Sequence, residues 1–195
     1  TLGGGGIGQV WGSTSQDEAI KTVNAAYDAG ITLFDMAPLY GNGEAEKVMG
    51  LAFPDGYPDA VLLTTKCMLG AANGPDIEGI LSRSLHQSLA LLKRDYVDIF
   101  ILHGYVVPDN WQTDIPESLL SKIAVTSSTF NDYVIPAFEK LKQSGKIRAW
   151  GVTAASTQVT NLDIINAKRR PDAVQCVSNL LDSAGSMAIA AEKPD

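Results

Sequence analysis

Residues 31–41 read Ile-Thr-Leu-Phe-Asp-Met-Ala-Pro-Leu-Tyr-Gly, and this stretch is the key to the fold. A short apolar run, typical of a buried β-strand, ends at Asp35. Tyr40 follows five residues later, directly before Gly41-Asn42-Gly43, a segment that favours a turn. The pattern predicts a strand that leaves a carboxylate at its C-terminal end and a phenol on the loop beyond it.

Two later segments repeat this arrangement. The apolar run Val61–Thr65 ends at Lys66, and the run Val97–Leu102 ends at His103. In parallel α/β folds the C-terminal ends of the strands form the side of the sheet where catalytic residues usually lie. We therefore expect a carboxylate, a phenol, an ammonium group and an imidazole to meet there, a combination that suits a proton donor tuned by a cation.

Strand-like and helix-like segments alternate along the chain. Predicted strands occupy 31–35, 60–66, 96–103, 147–153 and 173–177, and a short apolar piece near 2–10 supplies a sixth. Predicted helices occupy 15–29, 44–52, 76–92, 131–144 and 157–168, with a capping box at Ser15 and Glu18, a cap at Asp76, and stops at Gly30 and Gly145. Strands too apolar to face water on either side indicate an α/β fold, a parallel sheet covered by helices.

The sequence leaves two arrangements of such a sheet possible, an open doubly wound sheet and a closed (β/α)8 barrel. Residues 3–8, Gly-Gly-Gly-Gly-Ile-Gly, formally match the dinucleotide-binding pattern G-x-G-x-x-G. Only two residues precede this run, however, and residues 9–14 are typical of a loop rather than of the start of a helix. No tyrosine has a lysine four residues on, the usual pair of short-chain dehydrogenases. We therefore favour flexible glycine backbone at the start of a barrel.

The composition fits one globular domain over residues 1–195, with 45% hydrophobic and 19% charged residues. A net charge of -7 argues against a nucleic-acid partner, because phosphate binding needs clustered cations. Cys67 and Cys176 lie in apolar runs, and we expect both to be buried core residues of a protein from a reducing compartment. We see no apolar stretch of the roughly 20 residues that span a bilayer, no signal peptide and no metal-ligand spacing, so we expect a cytoplasmic protein without membrane or metal.

Five motifs, in this order and at this spacing, are typical of a known family. They are Phe34–Gly41 with Glu46 and Gly50, Thr64–Lys66, Ile101–His103, Trp150–Thr153, and Val174-Gln175 followed by Asn179–Asp182. Over nearly its whole length the chain resembles the aldo-keto reductases. The resemblance implies a single (β/α)8 TIM barrel domain that binds a nicotinamide cofactor, usually NADPH, with NADH as the alternative. It also implies a small-molecule carbonyl substrate, whose identity the sequence does not give.

The resemblance assigns roles to particular residues. It implies a catalytic tetrad of Asp35, Tyr40, Lys66 and His103. It implies cofactor contacts from Gly6, Ile7, Asp35, Thr153 and Gln175. It implies a substrate pocket formed by Trp11, Tyr40 and His103. In this arrangement Tyr40 donates the proton in carbonyl reduction, and the neighbouring ammonium group stabilises the phenolate that results.

The chain also departs from the family pattern. Thr153-Ala154 stands where Ser-Asn is common, at the site that holds the nicotinamide carboxamide, and Met36 replaces a small residue beside the aspartate. About six of the eight β-α units of a barrel are present, so we expect the last two, with the loop that grips the cofactor phosphates, to be absent from this chain. A non-catalytic, nicotinamide-binding regulatory subunit is the alternative function, and the oligomeric state is left open.

Overall fold

The computed structural model describes residues 1–70, 72, 74–154 and 158–176. Its main sheet has six parallel strands in the order β1-β2-β3-β4-β7-β8. Their bounds are β1 Leu2–Gly3, β2 Leu33–Asp35, β3 Leu62–Cys67, β4 Val97–Leu102, β7 Ile147–Ala154 and β8 Ala173–Cys176. A second, two-stranded parallel sheet pairs β5 Tyr105–Val107 with β6 Ala124–Thr126.

Helices connect these strands. They are α1 Gln16–Asp28, α2 Glu44–Ala52, α3 Ile77–Leu92, α4 Glu117–Ile123, α5 Ser127–Thr129, α6 Ile135–Gln143 and α7 Gln158–Asn166. A 3-10 turn, Gly74–Asp76, precedes α3, and a π-helical turn, Phe130–Val134, joins α5 to α6. The expected alternation of strands and crossover helices is therefore confirmed for the described part of the chain.

The strand order decides between the two arrangements. A doubly wound sheet starts in its middle, and its strand order reverses at a switch point. Here the order rises from one edge to the other without reversal among the described strands. The sheet curls into part of a barrel and supplies six strands of a (β/α)8 fold. Residues 4–11 form turns and open no helix, so the match of this segment to the dinucleotide pattern is fortuitous and the expected strand near 2–10 is wrong beyond Gly3.

The ends of the helices follow local sequence signals. The Ser15 hydroxyl accepts a hydrogen bond from the backbone N–H of Glu18, and the Glu18 carboxylate accepts one from the backbone N–H of Ser15, so the predicted capping box is confirmed. Gly30 and Gly145 stop helices with φ angles of 88° and 74°, a region that favours glycine. Asp76 precedes α3, but its side chain makes no capping hydrogen bond, so that expectation is wrong.

The core lies between the sheet and its covering helices. Its largest fully buried apolar side chains come from both layers: Phe34, Leu63, Phe100 and Trp150 from strands, and Met49, Ile77, Leu81, Leu85, Leu92 and Phe138 from helices. Phe138 stacks on Trp150 with ring centroids 5.4 Å apart. Each such side chain contributes about 1.5–3 kcal/mol through burial, so this layer is a major source of the stability of the fold.

Two further expectations need correction. Cys67 is buried, but Cys176 is only partly buried, because it lies on β8 at an edge of the described sheet. The stretch between β4 and α6, in which the sequence predicts no strand or helix before residue 131, contains β5, α4, β6 and α5. This excursion, residues 104–129, begins directly after His103, and the structure describes all of its residues. Among the described residues, none of the helices has the length and apolar character that a membrane span requires.

Candidate active site

The ammonium group of Lys66 is the centre of the candidate site. Lys66 lies on β3 and is 1% exposed. Its Nζ atom donates to Oδ1 of Asp35 at 2.7 Å, to the backbone oxygen of Met36 at 3.0 Å and to the phenolic oxygen of Tyr40 at 3.2 Å. An ammonium group has three donors, so these three contacts satisfy it fully and allow its burial.

Parallel pairing brings Lys66 and Asp35 together. The register of β2 with β3 places Asp35 opposite Thr64, and Lys66 lies two residues further along the same face of β3. Its side chain therefore reaches across the C-terminal end of β2. The expectation that these strand ends meet is confirmed by the contact between the two charged groups.

Close approach of two glycines holds the loop that carries Tyr40. Gly41 has a φ of 71°, and a Cβ atom there would lie 2.1 Å from the backbone oxygen of Gly8. A Cβ atom on Gly8 would in turn lie 2.6 Å from the backbone oxygen of Tyr40. The glycine-rich start of the chain thus packs directly against the turn after β2. This contact fixes where the phenol stands, and no side-chain motif in the sequence signals it.

His103 lies one residue beyond β4 and faces the phenol. Its backbone N–H donates to the carbonyl of Cys67 at 2.8 Å, and its ring meets the ring of Tyr40 edge-on with centroids 6.2 Å apart. Burial and then the charge of Lys66 lower the pKa of the imidazole below its usual 6.5, an effect that Asp35 partly opposes. The ring is therefore neutral at neutral pH and offers one N–H donor.

Gln175 joins the cluster from β8. Its Nε2 atom donates to Oδ2 of Asp35 at 2.9 Å, so both oxygens of that carboxylate are engaged by groups of the site. Because the amide nitrogen faces Asp35, the amide oxygen is the atom that can accept from a carboxamide N–H. A cavity of about 240 Å³ is lined by Asp35 and Gln175, by Thr1 and Thr64, and by apolar side chains of the strands.

The hydroxyl of Thr153 is occupied by backbone. Its Oγ1 atom lies 2.8 Å from the carbonyl oxygen of Gly104 and 3.1 Å from that of Leu102, and it accepts from the N–H of Gly104 at 3.1 Å. Its single proton is therefore shared between protein carbonyls. The side chain of Ala154 and the motif segment 179–182 lie outside the described residues.

The remaining predicted positions lie on residues 4–11, the turn segment whose Gly8 contacts Tyr40. Gly6 is exposed, with open space where a Cβ atom would stand, whereas the Ile7 side chain is 4% exposed and belongs to the core. Any contact from Ile7 to a ligand therefore comes from its backbone. Trp11 is 81% exposed, and its indole ring covers Gly5. Trp11 is thus not a core residue, and its place in a substrate pocket remains a prediction.

Two features of the cluster were not predicted from the sequence. The backbone carbonyl of Met36 is the third acceptor for Lys66, and a main-chain atom carries no residue-type signal. Glu46 is 1% exposed on α2 and accepts from the Thr65 hydroxyl at 2.5 Å, on the strand that carries Lys66. Burial raises the pKa of Glu46, an effect that hydrogen bonding partly opposes. The sequence places Glu46 in the motif that contains Tyr40, but it does not indicate that the Glu46 side chain is buried.

The sequence and the geometry together identify the family. The model of the Aldo/keto reductase family matches residues 1–192, and the chain belongs to this family. Within the described part of the chain, no group of three or more His, Cys, Asp or Glu side chains could hold a metal ion.

Individual relatives agree with this assignment. The aldo-keto reductase YhdN of Bacillus subtilis is 31% identical over 180 residues, which are 90% of this chain and 48% of that protein. The L-galactose dehydrogenase of Arabidopsis thaliana is 34% identical over 78% of this chain and 43% of that protein. A crystal structure of an aldo/keto reductase from Klebsiella pneumoniae in complex with NADP and acetate matches 85% of this chain and 48% of that one, with a TM-score of 0.61 and 26% identity. The chain thus spans about half the length of these relatives.

Proposed function

We propose that this protein reduces an aldehyde or ketone to an alcohol at the expense of NADPH or NADH. The observation that carries the proposal is the buried ammonium of Lys66, shared between the carboxylate of Asp35 and the phenol of Tyr40. The Klebsiella relative was crystallised with NADP, which supports a nicotinamide cofactor here. When bound, that cofactor supplies a hydride to the carbonyl carbon.

Tyr40 supplies the proton that the reaction needs. Its O–H donates to the substrate oxygen as negative charge develops there, and the proton moves from the phenol to the new alkoxide. A free tyrosine titrates near pH 10, so the phenolate needs stabilisation at neutral pH. A unit positive charge about 4 Å away provides roughly 4 kcal/mol at an effective dielectric constant near 20. Lys66, at 3.2 Å from the phenolic oxygen, is that charge.

Asp35 holds the ammonium group in place. It offsets the burial of Lys66 by pairing with it, and its second oxygen is tied to Gln175. Oδ1 of Asp35 accepts from Lys66 and Oδ2 accepts from Gln175, so the carboxylate cannot rotate without breaking a hydrogen bond. Lys66 is thereby aimed at Tyr40 before a substrate arrives, which is the preorganisation that electrostatic catalysis requires.

His103 orients the substrate oxygen. A neutral imidazole beside the Tyr40 ring can donate an N–H to the carbonyl oxygen, so that phenol and imidazole hold it from two sides. The lowered pKa of His103 favours this neutral form. Trp11, whose side chain is exposed, completes the substrate pocket in this proposal.

The nicotinamide carboxamide is held mainly by Gln175. The amide oxygen of Gln175 accepts from the carboxamide N–H. The exposed backbone at Gly6 and the backbone of Ile7 provide further contacts on the opposite side. These residues suit the nicotinamide end of the cofactor, whose reacting face is then turned towards Tyr40.

The test is NADPH oxidation with a reactive aromatic aldehyde, with the alcohol product identified. The full-length protein is compared with Tyr40→Phe and with Tyr27→Phe, which alters a tyrosine of the outer helix α1. We expect Tyr40→Phe to lose activity about 100-fold or more and Tyr27→Phe to match the parent. Equal rates for parent and Tyr40→Phe would overturn the proposal. Nucleotide retained through purification, with slow turnover and a stable complex with a larger partner, would favour the regulatory alternative instead.

A further inference from the structure

The Thr153 side chain bridges two neighbouring strands at the level of His103. The last backbone pair of β4 with β7 joins Leu102 to Val152, and His103 and Gly104 continue beyond this ladder. Backbone groups past the end of a ladder need other partners. The Thr153 hydroxyl supplies them, because it bonds the carbonyl oxygens of Leu102 and Gly104 and the N–H of Gly104.

These contacts enclose His103 from both sides along the chain. Thr153 holds the residue before His103 and the residue after it, while the N–H of His103 itself is held by Cys67 on β3. Gly104 is confined further, since a Cβ atom there would lie 2.6 Å from the backbone oxygen of Ile123. The backbone that carries the imidazole is thus fixed by β3, by β7 and by the excursion after β4.

The hydrogen bonds of the Thr153 hydroxyl can be counted against its donor and acceptor capacity. A hydroxyl has one proton and two acceptor lone pairs. The proton of Thr153 is shared between two protein carbonyls, and one lone pair accepts from Gly104. Every one of these described contacts therefore acts on the backbone on either side of His103.

We propose that Thr153 is a positioning residue for His103, whose hydroxyl fixes the direction from which the imidazole presents its N–H to the substrate oxygen. This inference rests on the proposed function, since His103 acts there on the carbonyl. It differs from a carboxamide-holding role because the loss of the hydroxyl should affect the aldehyde step and leave nucleotide affinity nearly intact.

The test compares Thr153→Val, which keeps the shape of the side chain without its hydroxyl, with Thr153→Ser, which keeps the hydroxyl. In the full-length protein we expect Thr153→Val to lower kcat/KM for the aldehyde about tenfold or more, with the Kd of NADPH changed less than about threefold. Thr153→Ser should recover most of the lost activity. A weaker nucleotide affinity that accounts for the whole loss in Thr153→Val would overturn the inference.

A double-mutant cycle with His103→Ala decides whether the effect acts through the imidazole. Thr153→Val should lower kcat/KM in the parent but have little further effect in the His103→Ala protein, because no imidazole is left to position. Full additivity of the two losses would contradict the inference, even if Thr153→Val is also less stable.

An NMR measurement keeps the inference separate from the proposed function. Thr153→Val should shift the imidazole nitrogen signals of His103 and leave those of His86, which is exposed on α3, in place. This readout needs neither substrate nor turnover. A parent protein that reduces no aldehyde would overturn the proposed function alone, whereas His103 signals identical in parent and Thr153→Val would overturn the positioning role alone.

Discussion

The Oδ1 atom of Asp35 lies 2.7 Å from the Nζ atom of Lys66, in an ion pair whose side chains are 13% and 1% exposed. Removal of one partner of such a buried pair leaves an uncompensated charge, which costs about 3–5 kcal/mol. We therefore expect Asp35→Asn to lower the free energy of unfolding by about 3 kcal/mol, measured by urea denaturation. The double variant with Lys66→Met should be more stable than Asp35→Asn alone.

The control for this pair is Glu78→Gln. Glu78 pairs with Lys140, and both side chains are more than half exposed. Exposed pairs contribute about 0–1 kcal/mol, so this variant should unfold almost as the parent does. Equal losses from Asp35→Asn and Glu78→Gln would show that Lys66 does not depend on its buried carboxylate.

The charge of Lys66 should be visible in the titration of His103. Burial lowers the pKa of the imidazole most, and the ammonium lowers it further, while Asp35 raises it. Lys66→Met removes the second cause and leaves the carboxylate unopposed, so the pKa of His103 should rise. The measurement is an NMR titration of the imidazole, with the exposed Lys47→Met as control. An unchanged pKa in Lys66→Met would mean that the ammonium and the imidazole do not interact.

Glu46 should give the protein a recognisable pH dependence of stability. Burial raises its pKa above 4.5, so the folded state binds the proton more tightly than the unfolded state does. The stability that this group contributes is present below pH 4.5 and is lost as the pH rises through the folded pKa. The free energy of unfolding of the parent minus that of Glu46→Gln should therefore fall as the pH is raised from 4.5.

Thr65→Ser is the matched control for Glu46, because it keeps the hydroxyl that bonds the carboxylate. Its stability should follow the pH dependence of the parent. A difference between parent and Glu46→Gln that is constant with pH would contradict the assignment of a buried carboxylate with a raised pKa.

The contact between Gly8 and the Tyr40 loop predicts a strong effect of one methyl group. In Gly8→Ala the new Cβ atom would lie 2.6 Å from the Tyr40 carbonyl, so the loop must move away. Displacement of a reacting group by about 1 Å can cost 100-fold in rate, and we expect a loss of that order in kcat/KM. Gly3→Ala, which places its Cβ atom in open space, should retain parental activity. Parental activity in Gly8→Ala would show that the glycine contact does not position the phenol.

The sequence predicted the strands and the meeting of their C-terminal ends. Apolar runs that end in Asp35, Lys66 and His103 are enough for this, because parallel pairing brings successive strand ends to one side of a sheet. The preference for a barrel over a doubly wound sheet followed from the two residues that precede the glycine run and from the loop-like residues 9–14 after it. These features depend on local composition and on a topological rule, both of which are readable in a single chain.

Other parts of the site depend on backbone placement and could not be predicted. The carbonyl of Met36, the approach of Gly8 to Tyr40 and the bridge made by Thr153 all join main-chain atoms to distant residues. Their partners are set by the register of neighbouring strands and by turn geometry, not by residue type. The strands within the excursion after His103 were missed for a similar reason, because three-residue strands carry almost no periodic signal.

The most direct measurement is the rate of hydride transfer in a single turnover. The full-length protein and Tyr40→Phe are each saturated with NADPH and mixed rapidly with aldehyde, and the loss of NADPH absorbance is followed. We expect Tyr40→Phe to bind NADPH as the parent does but to transfer hydride about 10²- to 10⁴-fold more slowly. Equal transfer rates in the two proteins would contradict it.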